Sequence, residues 1–109
     1  MVFGGIKLMW IMVCFDLPTK TKKQRKIYSC FRMALLKDGF TMMQYSIYYR
    51  YCGSRENMNV HISRLRKYLP IEGDVNILNF TDKQFGQIER HNDGAPAPRE
   101  EAPKQLMFF

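Results

Sequence analysis

From Leu8 to Phe15 every residue is apolar, so both alternating faces of that segment ask for cover. This is the pattern of a central β-strand packed on two sides. Pro18 closes the run. Thr21 and Gln24 then stand at the T-x-x-Q spacing of a capping box, which opens a helix. Ile27, Cys30, Phe31, Ala34 and Leu35 recur at helical spacing as one buried stripe, and Gly39 supplies the stop. The segment FTMMQYSIYYRYC, residues 40–52, is β-branched, aromatic and too long for one average strand. It predicts two antiparallel strands bending near residues 44–46. A second helix is expected over residues 55–69, with Met58, Ile62, Leu65 and Leu69 on one face and Pro70 beyond its end. DVNILNF, residues 74–80, predicts a fourth strand, and residues 84–90 a short fifth.

The order strand, helix, strand, strand, helix, strand is that of an α+β, ferredoxin-like βαββαβ domain, here over residues 1–92. Two helices cover one face of such a sheet. The first strand and the Tyr-rich hairpin leave apolar groups on the other face, which predicts a twofold homodimer packed sheet to sheet. Residues 93–109 form a second region. DGAPAPREEAP is Pro- and Ala-rich without periodicity, the composition of a flexible linker. It leads to an apolar plug, Gln105, Leu106, Met107, Phe108 and Phe109, which has the form of a short docking peptide. That plug resembles the pentapeptide that binds the bacterial sliding clamp. Met33 and Leu36, on the outer side of the first helix, are alternative contact points for a partner.

Composition sharpens this picture. A chain of 109 residues is one domain with a thin core, and eight Met with fifteen aromatics is a large apolar stock for it. The net charge of +7 is concentrated before residue 93, where 15 Lys and Arg face 7 Asp and Glu. A body this basic attracts polyanions such as nucleic acid. Cys14, Cys30 and Cys52 lack paired spacing, which argues against zinc and for reduced thiols in a cytoplasmic protein. The N-terminal apolar run, broken by Lys7 and closed by Asp16, is too short to cross a bilayer and lacks the pattern of a secretory leader. No membrane role is expected.

The charge has a focus. Lys20, Lys22, Lys23, Arg25 and Lys26 lie within ten residues of Asp16, and Lys22, Arg25, Lys26 and Arg32 project opposite the apolar stripe. Cations in the first turn of a helix oppose its dipole, while the free backbone N–H groups there favour anions. That conflict points to phosphate contact rather than to an ordinary solvated face. Arg64, Arg66 and Lys67 add to the positive surface from the second helix. Asp16 is open to two readings. It caps the turn or pairs with a nearby Arg, or it meets its copy across a twofold axis and holds a divalent ion that activates water at a phosphate. His61 and His91 have no second ligand at metal spacing. Tyr45, Tyr48, Tyr49 and Tyr51 either stack on bases or fill a sheet face.

Four ordered blocks, VCFDLPTKTKKQRK, KDGFTMMQYSIYYRYC, RLRKYLPIEG and ILNFTDKQFGQIE, closely resemble the small CRISPR-associated adaptation protein family, Cas-two, in its type II branch. The resemblance spans about residues 9–90. It implies a ferredoxin-like homodimer that takes part in spacer acquisition and supports double-stranded DNA, the protospacer, between dimers of the adaptation integrase. It also implies a magnesium-dependent endonuclease acting on single-stranded RNA or double-stranded DNA, with Asp16 as metal ligand at the dimer twofold. The integrase is then the expected target of the C-terminal plug. Ser46 matches the family serine that opens the third strand. Phe15 stands where Tyr is common and offers no hydroxyl to orient water; Tyr48 stands where Phe is common. Arg25 matches a basic position of the first helix, and Lys23 replaces an arginine. An RNA-recognition module of the same topology would need a basic-Gly-aromatic signature, and a metallochaperone a CxxC after the first strand. The chain has neither.

Overall fold

The computed structural model describes residues 2, 3 and 6–97. A small pair, β1 (Val2–Phe3) and β2 (Ile6–Lys7), precedes the long strand β3 (Met9–Asp16). Then follow α1 (Lys22–Lys37), β4 (Thr41–Gln44), β5 (Ile47–Gly53), α2 (Arg55–Lys67) and β6 (Asp74–Thr81). The chain continues through the short helix α3 (Asp82–Gly86) into a two-residue hairpin, β7 (His91–Asn92) and β8 (Ala95–Pro96). The main sheet has the order β4-β5-β3-β6, with every adjacent pair antiparallel. This is the ferredoxin-like arrangement expected from the hydrophobic pattern.

Local chemistry explains the element ends. The Thr21 hydroxyl accepts the Gln24 N–H at 3.1 Å, and the Gln24 side chain accepts the Thr21 N–H at 3.0 Å, completing the box. α1 ends before Gly39, whose φ of 86° only glycine adopts without strain. The hairpin bends at Tyr45 and Ser46, within the expected interval. Gly73 enters β6 at φ 88°, and a Cβ there would stand 2.5 Å from the Asp16 carbonyl oxygen.

The fifth strand expected over residues 84–90 does not form; α3 takes its place. Thr81 and Gln84 repeat the T-x-x-Q box of α1, and both of its hydrogen bonds are present. A five-residue helix has little stability of its own. This one is fastened to β3: the Asp82 N–H donates to the Leu8 carbonyl at 2.8 Å, and the Trp10 indole N–H donates to Asp82 at 2.8 Å.

Alternation along β3 divides the core. Met9, Ile11, Val13 and Phe15 face the helices and pack with Phe31, Leu35, Met58, Ile62 and Leu65. Cys30, expected in the buried stripe, is exposed, as is Leu69 beyond the end of α2; Leu36, expected outside, packs against the core. Buried His61 ties α2 to the end of α1 by holding the Asp38 carboxylate at 2.9 Å, with Arg64 on the same carboxylate at 3.0 Å. Burial raises the Cys52 thiol to about 11.

Trp10 and Met12 face the other side with Tyr49 and Phe85. The hydrophobic pattern leaves a monomer nothing to place there, but the chain after β6 folds back over part of it. The Phe85 ring stacks on Trp10 with centroids 4.0 Å apart and planes 1° from parallel. The half of the face nearer Asp16 stays open, with Leu78 and Asn76 exposed.

Two consequences are measurable. Phe85→Ala strips the cover from the sole tryptophan, so its emission should shift to the red, and unfolding should cost about 3 kcal/mol less in a denaturant titration. Gly73→Ala adds a left-handed penalty of about 1–2 kcal/mol to a backbone collision, so it should destabilise by more than that penalty.

Candidate nucleic-acid interface and acidic site

β3 runs into Asp16 with its side chain on the open face, because Phe15 occupies the core side. Asp16 is exposed and, among the described residues, has no hydrogen-bond or ion-pair partner. The reading in which it caps a turn or pairs with a nearby Arg therefore has no contact behind it. Its neighbour is a second acid that sequence order hides. In the antiparallel register of β3 and β6, Asp16 stands opposite Asp74, and Cys14 opposite Asn76. Directly opposed residues in such a pair share a face. Asp16, Asp74, Asn76, Tyr45, Ser46 and Cys14 line one open depression of about 300 Å³.

The hairpin turn forms one wall. Ser46 adopts φ 65°, its carbonyl accepts the Phe15 N–H at 3.0 Å, and its hydroxyl lies 3.3 Å from the Tyr28 hydroxyl. These contacts bind the turn to β3 on one side and to α1 on the other. Phe15 and Tyr48 are buried: their rings stack 5.8 Å apart, and Phe15 meets Phe31 edge-on at 5.1 Å. Tyr48 supports the wall from behind; Phe15 also borders the depression, although its ring packs into the core.

The donor set suits a hard divalent ion. Asp16 and Asp74 offer carboxylates, and Asn76 and Ser46 offer neutral oxygens, the ligand type magnesium prefers with water filling the rest of its shell. Among the described residues no group of three or more His, Cys, Asp or Glu is placed to hold a metal. One protomer thus supplies at most the Asp16–Asp74 pair. The Cys14 thiol at the edge is pushed up by burial, which disfavours the thiolate form as a ligand.

The basic residues separate into two kinds. Lys20, Lys22, Lys23 and Lys26 are exposed, with no side-chain partner among the described residues, and no acid occupies the first turn of α1. Arg25 is exposed but engaged, donating to the Thr19 and Lys20 carbonyls at 3.1 and 3.0 Å; it braces the loop that links Asp16 to α1. Arg32 is half-buried. Arg64, Arg66 and Lys67 lie in the last turn of α2, where the dipole welcomes cations. Their placement has a folding explanation that the α1 lysines lack. His91 sits on the exposed hairpin and meets Glu89 at 3.3 Å. The plug from Gln105 to Phe109 lies outside the described residues.

Sequence reasoning missed Asp74 as a site residue because 58 positions separate it from Asp16. Its presence at the predicted start of the fourth strand was the available signal, and register was the missing knowledge.

Comparison with known proteins identifies relatives of this chain. The family model described as CRISPR associated protein Cas2 matches residues 9–88. A Flavobacterium psychrophilum protein named CRISPR-associated endoribonuclease Cas2 is 50% identical over 101 residues, covering 93% of this chain and 88% of that protein. A protein of the same name from Parvibaculum lavamentivorans is 48% identical, over 93% of this chain and all of its own length. Another from Paracidovorax avenae is 40% identical over 96% and 97% of the two chains. Among the described residues, no helix is long and apolar enough to cross a membrane. With a family match that covers the whole central sheet, both long helices and the Asp16 depression, this chain belongs to the CRISPR-associated Cas2 family.

Proposed function

We propose that this chain acts as a homodimer that holds double-stranded DNA by its backbone during CRISPR spacer acquisition, alongside the adaptation integrase that performs strand transfer. The observation that carries this reading is the first turn of α1. Four exposed lysines cluster around a helix start that has no acidic residue, although the dipole there disfavours cations. Phosphate is the ligand that turns this arrangement into a gain, because it meets the lysines and the free N–H groups together. No side-chain code for base edges is needed, which suits a subunit that must accept any sequence.

The dimer is supported by the open half of the second sheet face. Beside it, a groove of about 520 Å³ has an apolar side of Met12, Met43, Ile47, Phe80 and Ile88 and a polar side formed by Gln44 and residues 89–92, and Leu78 on the same face is 37% exposed. β6 is also an edge strand of eight residues, an arrangement that favours cover by a second copy.

A second reading rests on Asp16 itself. An exposed carboxylate without a partner, registered against Asp74, suits a magnesium-dependent phosphodiesterase, and the relatives named endoribonuclease support it. Magnesium bound there would supply an activated water and neutralise charge on the scissile phosphate. Asp16 and Asp74 would hold it, the twofold partner would bring the same pair, and the α1 lysines would hold the strand. Phe15 supplies no hydroxyl, so orientation of the attacking water would fall to Ser46 and Asn76.

Asp16→Asn separates the two readings. It is expected to reduce magnesium-dependent cleavage of labelled single-stranded RNA or duplex DNA to background, yet leave duplex binding within about twofold. Duplex binding that collapses in a folded Asp16→Asn protein would count against the backbone-holding reading. Replacing Lys22, Lys23 and Lys26 by Gln should reduce the slope of log affinity against log salt by about 0.9 for each phosphate no longer neutralised. An unchanged slope would place the DNA elsewhere. Leu78→Asp should lower the sedimentation coefficient toward that of a monomer while helix content is kept.

A further inference from the structure

The four tyrosines of the hairpin are alike in sequence and unlike in structure. Tyr48 and Tyr49 are buried, and Tyr51 lies edge-on to Trp10 at 5.1 Å. Tyr45 is 87% exposed and, among the described residues, makes no ring contact or hydrogen bond. It stands at the tip of a two-residue turn, where small polar residues are the usual solution and a large aromatic adds nothing to folding. The turn is not loose. Ser46 fastens it to Phe15 and lies against Tyr28, so the Tyr45 backbone is fixed relative to β3. Tyr45 also borders the depression that holds Asp16, Asp74 and Asn76.

We propose that Tyr45 is a base-stacking platform that places an unpaired nucleotide beside Asp16 and so favours single-stranded nucleic acid at this site. A phenol ring with a free face, held next to oxygen ligands suited to a phosphate-bound cation, matches one nucleotide in two parts: the base on the ring, its phosphate toward the acids. Within a duplex both faces of a base are already stacked on their neighbours, and only unpaired or splayed nucleotides offer a face. The platform therefore discriminates by strandedness and tolerates any base. Tyr45 acts as a positioning residue, because it orients the strand and takes no part in bond breaking. The inference rests on the reading that the Asp16 depression receives a phosphodiester, and it adds to that reading which nucleic acid enters.

The test uses the full-length protein with calcium in place of magnesium, so that a cation still stands between phosphate and acids, and each probe is confirmed uncut by gel after the measurement. The probes are a single-stranded RNA, a single-stranded DNA of the same sequence and the matching blunt duplex, each with 2-aminopurine at an internal position. The wild type and Tyr45→Phe should quench the fluorophore on binding a single strand. Tyr45→Ala should lose that quench and bind single strands about tenfold more weakly, while its duplex affinity stays within about twofold. Whichever single strand shows the larger loss identifies RNA or DNA as the preferred source. Equal weakening for all three probes, or none for any, overturns the proposal. So does a Tyr45→Ala protein that loses the wild-type oligomeric state by sedimentation, because the ring would then be an interface residue. Magnesium-dependent cleavage by Asp16→Asn, measured in parallel, distinguishes the two levels. If Asp16→Asn cuts like the wild type while Tyr45→Ala loses its single-strand quench, cleavage at Asp16 fails and the stacking platform stands. If Asp16→Asn is inactive and Tyr45→Ala binds like the wild type, the platform fails alone.

Discussion

Everything in this molecule depends on β3 being covered on both faces. It lies between β5 and β6 and forms ladders with each, so its backbone groups are spent within the sheet and its side chains alternate without interruption. Met9, Ile11, Val13 and Phe15 go to the helices; Trp10 and Met12 go to the opposite face; Asp16 continues the second series where the apolar cover stops. A slip of one residue would drive Asp16 toward the helical core and expose Phe15. The burial that stabilises the sheet therefore also fixes the only free carboxylate on this strand in the open. Fold and site follow from one alternation.

Electrostatics then organise the surface around that end of the sheet. α1 starts six residues after Asp16, and Arg25 braces the connection by donating to two carbonyls of the linking loop. The acids and the lysines are not neutralised by each other: among the described residues none of the α1 lysines pairs with Asp16 or Asp74. The opposite choice appears at the far end of α1. There Asp38 takes both His61 and Arg64, and Arg50 donates to its carbonyl at 2.7 Å. Acids that serve the fold are saturated with partners; those near the hairpin are left open. Openness alone does not single out Asp16 and Asp74, since Glu56, Glu72 and Asp93 are also exposed without a side-chain partner among the described residues; what sets the two apart is that they face each other across the β3–β6 ladder.

Local signals carried much of this. The T-x-x-Q box at Thr21, the left-handed glycine at position 39 and the long apolar run of β3 each act within a few residues, and each became the element it predicted. The same box at Thr81 is equally legible, yet the segment after it reads as a short strand when its apolar Phe85 and Ile88 are weighed without it. What turned it into a helix was a docking surface: Trp10 offers a flat ring for Phe85 and an indole N–H for Asp82. Cys30 misled in the opposite direction. Its helical spacing fits the stripe, but the stripe is narrow and the layer closes over Phe31 and Leu35 without it.

By itself the sequence determined the order of the four main strands and two long helices, the cap of α1, the hairpin bend, the two-sided central strand, the excess of positive charge and the family resemblance. These are properties of neighbours along the chain, set by hydrogen bonds and periodicity that span a few residues. Tertiary structure alone decided which residues meet across the sheet. It paired Asp16 with Asp74, buried Tyr48 and Tyr49 while leaving Tyr45 in solvent, and separated braced arginines from free lysines. The reason is strand register. Composition says that a strand exists, but only the packed arrangement of both faces fixes which of its residues stands opposite which.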